Sequence, residues 1–204
     1  MGDRIPTGFV TLADVDPTIR QDLRYSTDRN FVAAPLDGYQ DATCLLTLPA
    51  ARALSRAQQL LARDGHTITV FDGYRPQRAV DHMRRWAQDP DQQATKAHYY
   101  PRVPKERLFG PDYIHTRSGH SRGSTLTTTD GALLDMGTPF DFFDPRSATA
   151  HPGIPPAARA NRRFLHQAMA RSGFHNLPSE WWHFTLTDEP FPLTYFDFPA
   201  ARRP

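Results

Sequence analysis

Nineteen prolines spread over 204 residues leave this chain little room for long uninterrupted elements. Proline has no amide hydrogen for a helix or a strand ladder, so each one marks a start, a stop or an edge. That punctuation predicts short elements joined by long ordered loops and argues against a helix bundle.

Between the prolines, periodicity is readable. Pro49 to Asp64 sets Leu54, Leu60 and Leu61 among alanines and arginines, an amphipathic helix ended by Gly65 as C-cap. His66 to Phe71 is a strand rich in β-branched residues, closed by Asp72-Gly73. Pro76 to Gln88 predicts a second helix, opened by its proline, and Pro156 to Ser172 a third, stopped by Gly173. Ser124–Thr129 and Ala132–Met136 read as two strands of a hairpin turning at Asp130-Gly131, and Trp182–Leu186 as a last strand. The first quarter is loop-rich, and Asp89–Pro111 reads as a surface excursion. Helices mixed with hairpin strands predict an α+β fold over residues 1–204, one domain with a central antiparallel sheet flanked by helices.

Composition excludes several classes. A formal charge of +2, with arginines scattered rather than clustered, gives no support to nucleic-acid binding. No run of about eighteen apolar residues exists to span a membrane. Met1–Thr11 carries Asp3, Arg4 and Pro6 where a secretory signal would need an apolar core. The single cysteine, Cys44, has no partner within the chain and suits a reducing cytoplasm.

Two motifs carry chemistry. His120 lies in Ser118-Gly119-His120-Ser121-Arg122-Gly123-Ser124, where flanking glycines permit a tight backbone that presents the imidazole. Roughly sixty residues later, Glu180-Trp181-Trp182-His183 puts a carboxylate three positions from a second histidine, on one side of a turn. A carboxylate beside a metal-bound histidine is what metal-assisted hydrolysis needs. Trp86, Trp181 and Trp182 read as core and pocket wall. His98, His115, His151, His166 and His175 lack ligand spacing, and Asp81 and His82 read as decoration of the second helix.

In these motifs and others the chain resembles the D-alanyl-D-alanine dipeptidases, the zinc peptidases typified by the enzyme of vancomycin resistance. The shared pieces run in order through Asp22-Leu23-Arg24-Tyr25, Asp37-Gly38-Tyr39 and Phe71-Asp72-Gly73-Tyr74-Arg75-Pro76. They continue through Thr95-Lys96, Tyr99-Tyr100-Pro101, the His120 motif, Met136-Gly137, Phe140-Asp141-Phe142, the Glu180 motif and Tyr195-Phe196-Asp197-Phe198-Pro199. The resemblance covers residues 15–199 and implies the LAS-type D,D-peptidase fold, a dipeptide substrate and zinc. It implies His120 and His183 as zinc ligands, Glu180 as general base and Arg75 as the stabiliser of the oxyanion. Tyr25, Ser118 and Asp141 then surround the dipeptide, with Asp141 facing its ammonium.

At one position the chain departs from that pattern. The family's third zinc ligand is an aspartate seven residues after the first histidine, and here that residue is Thr127. A neutral hydroxyl is outside the usual zinc donors. Asp130 is three residues further along the same strand, about 10 Å away, and its odd offset turns it to the other face. Three readings stand on sequence alone: a zinc dipeptidase with weakly held metal, a relative performing metal-independent acid–base chemistry on a small amino-acid-like substrate, and a peptide-binding protein without catalysis.

Overall fold

Thr125 to Asp130 and Ile68 to Asp72 are rich in β-branched side chains, which suit a pleated, largely buried surface. They form the centre of the main sheet. The computed structural model describes residues 4–110, 113–130 and 134–202. In chain order its elements are β1 (Phe9–Thr11), α1 (Leu12–Val15), β2 (Arg20–Gln21), β3 (Leu45–Thr47), α2 (Leu48–Ala62) and β4 (Ile68–Asp72). There follow α3 (Gln77–Gln88), α4 (Lys96–Tyr99), β5 (Thr125–Asp130), α5 (Pro156–Arg171), β6 (Phe174–Asn176) and β7 (His183–Leu186).

Five strands make one sheet in the order β2-β4-β5-β7-β6, while β1 pairs with β3 separately. The large sheet is antiparallel except at its edge, where β2 joins β4 in parallel. An α+β fold with a central antiparallel sheet is therefore what the chain adopts, with that parallel edge added.

The prolines act as the sequence predicts. Pro49 and Pro156 open α2 and α5, where an amide would lack an intrahelical partner anyway. At the other end of α2, Gly65 takes φ +80°. The His66 amide then donates to the Leu61 carbonyl and the Gly65 amide to that of Ala62, both at 3.1 Å. This pair of bonds satisfies the last carbonyls of the helix. Leu54, Ala57 and Leu61 on the buried face of α2 join Ile68, Val70, Leu126, Leu165, Met169 and Phe184 in the main core. Alanines on that face let α2 pack closely with α5. Buried Gln58 accepts the Ile68 amide at 2.7 Å, satisfying the first residue of β4.

The expected hairpin is not formed as read. Strand β5 takes β4 and β7 as its partners, and Leu134–Met136 are not in a strand. Gly131–Leu133 lie outside the described residues. The reason is local: the Asp135 carboxylate accepts the Gly137 amide at 2.7 Å, Gly137 takes φ +78°, and the Met136 carbonyl accepts from Arg162. These contacts turn the backbone away from a ladder. The stretch after Asp89 is likewise more than a surface excursion. Tyr100 and Leu108 are fully buried, and the Lys105 ammonium donates to the carbonyls of Asp89 and Gln92 above the Trp86 ring. Among the described residues no helix is long and apolar enough to cross a membrane.

Candidate active site

Strand β4 ends at Asp72, which is fully buried. A buried carboxylate requires partners, and Asp72 has several. The Tyr39 hydroxyl donates to it at 2.6 Å, Arg75 Nε at 3.0 Å, and His120 Nδ1 lies 3.2 Å away. Burial pushes the Asp72 carboxyl up, while Arg75 pulls it back. Burial opposes the charge of Arg75, but Asp72 beside it raises that guanidinium and keeps it a cation. Asp72 thus aims two other side chains.

His120 sits in a 3-10 turn, Gly119–Arg122, immediately before β5. The Ser118 hydroxyl accepts the His120 amide and caps this turn, and Gly123 ends it at φ +78°. A Cβ at Gly123 would come within 2.2 Å of the Phe9 ring, so the close approach and the positive φ both demand glycine. The Gly73 carbonyl lies 2.7 Å from His120 Nδ1, and a carbonyl only accepts, so Nδ1 carries the hydrogen. Nε2 is left as a bare lone pair, buried and without a hydrogen-bond partner among the described residues. Burial holds this imidazole well below the usual histidine range, with Arg75 and His183 adding to the effect. A neutral imidazole with Nδ1 anchored on a carbonyl is the state in which histidine ligates a metal.

His183 begins β7, and its amide closes a turn on the Glu180 carbonyl at 3.3 Å. That turn sets Glu180 Oε2 3.0 Å from His183 Nδ1. The two imidazoles face each other edge to face, ring centroids 5.0 Å apart. Thr127, on β5, is registered against His183 on β7 and against Asp72 on β4. Its buried hydroxyl has no hydrogen-bond partner among the described residues. Asp130 is registered against Ile68, at the other end of β4. Among the described residues no group of three or more His, Cys, Asp or Glu is placed to hold a metal. The donors gathered here are two imidazoles and a hydroxyl, with Glu180 alongside.

Tyr25, Arg75, Ser118, Thr127, Asp141, Glu180 and His183 line one cavity of about 240 Å³, with Trp182 in its wall. His120 is buried beside His183. The sequence-predicted residues are therefore brought together. This volume is below the roughly 300–1,000 Å³ of ordinary ligand pockets and suits a very small substrate. Asp141 is buried and accepts from the Tyr25 hydroxyl at 2.8 Å, while the Tyr25 ring lies 4.6 Å from the Arg75 guanidinium carbon. Burial pushes the Asp141 carboxyl up to about 8, against the opposing pull of Tyr25 and Arg75. Asp141 also holds φ +58°, outside the usual range for a side chain other than glycine.

Sequence reasoning gave Asp72 and Tyr39 no role in the site, although both stand in the shared motifs. The Asp-Gly pair reads as a turn, and nothing local reveals that its carboxylate points into the core. His82 does more than decorate α3. Its Nδ1 lies 3.1 Å from an Asp37 oxygen and ties that loop to the helix. His98 and His175 are exposed and His151 and His166 half-buried, while His115, also exposed, lines the same cavity as Glu180 and His183.

A buried neutral histidine, a second histidine with a carboxylate beside it, and a small charged cavity on an α+β frame define a hydrolase of the metallopeptidase class. The family model described as D-ala-D-ala dipeptidase matches residues 6–201. The chain belongs to the D-alanyl-D-alanine dipeptidase family. It is 44% identical over 198 residues to the D-alanyl-D-alanine dipeptidase of Streptomyces coelicolor, covering 95% of this chain and 98% of that one. The dipeptidases of Enterococcus faecalis and Enterococcus faecium match at 42% and 40% identity, again over 95% of this chain and 98% of theirs.

Proposed function

We propose that the chain hydrolyses a small dipeptide of the D-alanyl-D-alanine type with zinc held by His120 and His183. The observation that carries this reading is the bare, buried Nε2 of His120 beside His183, with Glu180 at hydrogen-bond distance from the second imidazole. Both imidazoles fit a zinc ion, and Thr127 offers only a neutral hydroxyl at the third position, so the ion is held more weakly than an aspartate would hold it. Zinc, when bound, supplies a Lewis acid and an acidified water.

The chain's own residues do the rest. Glu180 takes a proton from the attacking water and passes it to the leaving amine. Arg75, fixed by Asp72, faces the oxygen that becomes negative in the tetrahedral intermediate, a placement that requires no reorganisation during the reaction. Asp141 and Tyr25 hold the ammonium of the dipeptide, and Ser118 lines the wall next to them. The single cysteine, buried, suits a cytoplasmic setting.

The test is release of D-alanine from D-alanyl-D-alanine by the protein supplied with zinc. Turnover is expected to fall by about 10²–10⁴ in Glu180→Gln, the usual size of a general-base contribution. Turnover unchanged in that variant, or undiminished in excess chelator, overturns the reading.

A further inference from the structure

Among the described residues three arginines line the cavity, and two of them are committed. Arg75 is paired with Asp72, and Arg122 makes a bidentate pair with Glu189 at 2.7–3.1 Å. Arg117 is exposed and has no carboxylate partner among the described residues. Its guanidinium carbon lies 5.2 Å from the centre of the Tyr195 ring, and that of Arg122 lies 5.7 Å from it. The C-terminal tail carrying Tyr195 is itself anchored, because the Phe196 amide donates to the Ser121 carbonyl at 2.9 Å. Arg117 is thus a cation resting on an aromatic platform, next in sequence to Ser118 and lining the same cavity.

A free dipeptide is a zwitterion whose two charges are separated by at most about 7 Å of chain. Among the described residues the cavity's ionisable anions are Asp141 and Glu180, the first suited to an ammonium and the second beside His183. No lining residue so far described answers the carboxylate. We propose that Arg117 reads the free C-terminal carboxylate of the substrate, with Tyr195 holding the guanidinium in place. It thereby restricts the site to dipeptides in place of internal peptide bonds. This rests on the dipeptidase reading above. Arginine suits the role, since its planar fork matches a carboxylate and it stacks on aromatic faces.

The test separates the two readings by measuring binding without turnover. The ketomethylene isostere of D-alanyl-D-alanine, as the free acid and as the carboxamide, is titrated calorimetrically into the zinc-supplied protein. The unaltered chain is expected to prefer the acid by about tenfold or more, the size of one charge-assisted hydrogen bond. Arg117→Ala should bind acid and amide alike, with the amide affinity unchanged, and Arg117→Lys should keep part of the preference. Tyr195→Leu should weaken acid binding selectively, by a smaller factor. A preference for the acid that survives Arg117→Ala overturns this proposal and leaves the dipeptidase reading standing. Failure of the unaltered protein to bind either ligand overturns both.

Discussion

Thr127 stands directly across the β5–β7 pair from His183, buried to 2% exposure, with a hydroxyl that meets no hydrogen-bond partner among the described residues. An aspartate at this register would place a carboxylate beside both imidazoles. Thr127→Asp is therefore expected to tighten zinc binding by at least about 100-fold, the upper end of what even outer-shell changes produce. Without metal the same variant buries an unpaired charge and should melt at a lower temperature than the unaltered chain. With zinc added its melting temperature should rise more than that of the unaltered chain, because only the folded form binds the ion. Competition against a chelating dye, together with melting curves in both conditions, checks the two halves of the prediction.

Asp141 combines strain and burial at a position the substrate would need. Its carboxyl, near 3.9 in an unfolded chain, is pushed up to about 8 by burial. Between about pH 4 and about pH 8 the folded state holds a proton that the unfolded chain has released. The contribution of this group to stability is thus full below about pH 4 and is lost as pH rises to about 8. Asp141→Asn removes the titration, and asparagine tolerates the φ of +58°. The variant should melt higher than the unaltered protein at pH 8.5, with the gap closing toward pH 4, while its affinity for a dipeptide ammonium falls about tenfold or more. Melting temperature against pH, read for both proteins, settles the sign, and a variant less stable at pH 8.5 contradicts it.

Arg162 holds the segment that carries Asp141. It is 1% exposed and donates to the carbonyls of Met136, Arg146 and Ala148 at 2.7–3.0 Å and to the Thr138 hydroxyl at 3.1 Å. Burial lowers its guanidinium to about 10. Arg162→Leu would strand these acceptors, at about 1–3 kcal/mol for each one left unsatisfied. A loss of about 3 kcal/mol or more is expected in urea unfolding, and Arg162→Lys should restore part of it.

Sequence reading succeeded where the signal was local. The period of α2 and its glycine stop, the β-branched run of β4 and the proline that opens α5 each owe their form to neighbours a few residues away. Glu180 was singled out by its three-residue spacing from His183, which the structure keeps as a turn with Oε2 3.0 Å from Nδ1. The hairpin at Asp130-Gly131 was misread because β5 is paired on both sides by distant strands, β4 and β7, and sequence spacing carries no record of which strands meet. Asp72 and Arg162 escaped because what they do depends on burial among partners tens of residues away. Arg117 escaped because its company, Tyr195, comes from the far end of the chain.

Zinc held by His120 and His183 is tested by metal uptake of the unaltered chain, read by elemental mass spectrometry after equilibration with increasing zinc and rapid removal of excess. Saturable binding approaching one zinc per chain is expected, abolished in His120→Ala and in His183→Ala, with D-alanine release rising in step. A folded protein that takes up no zinc at any concentration, or that takes up the same amount without His120, would contradict it.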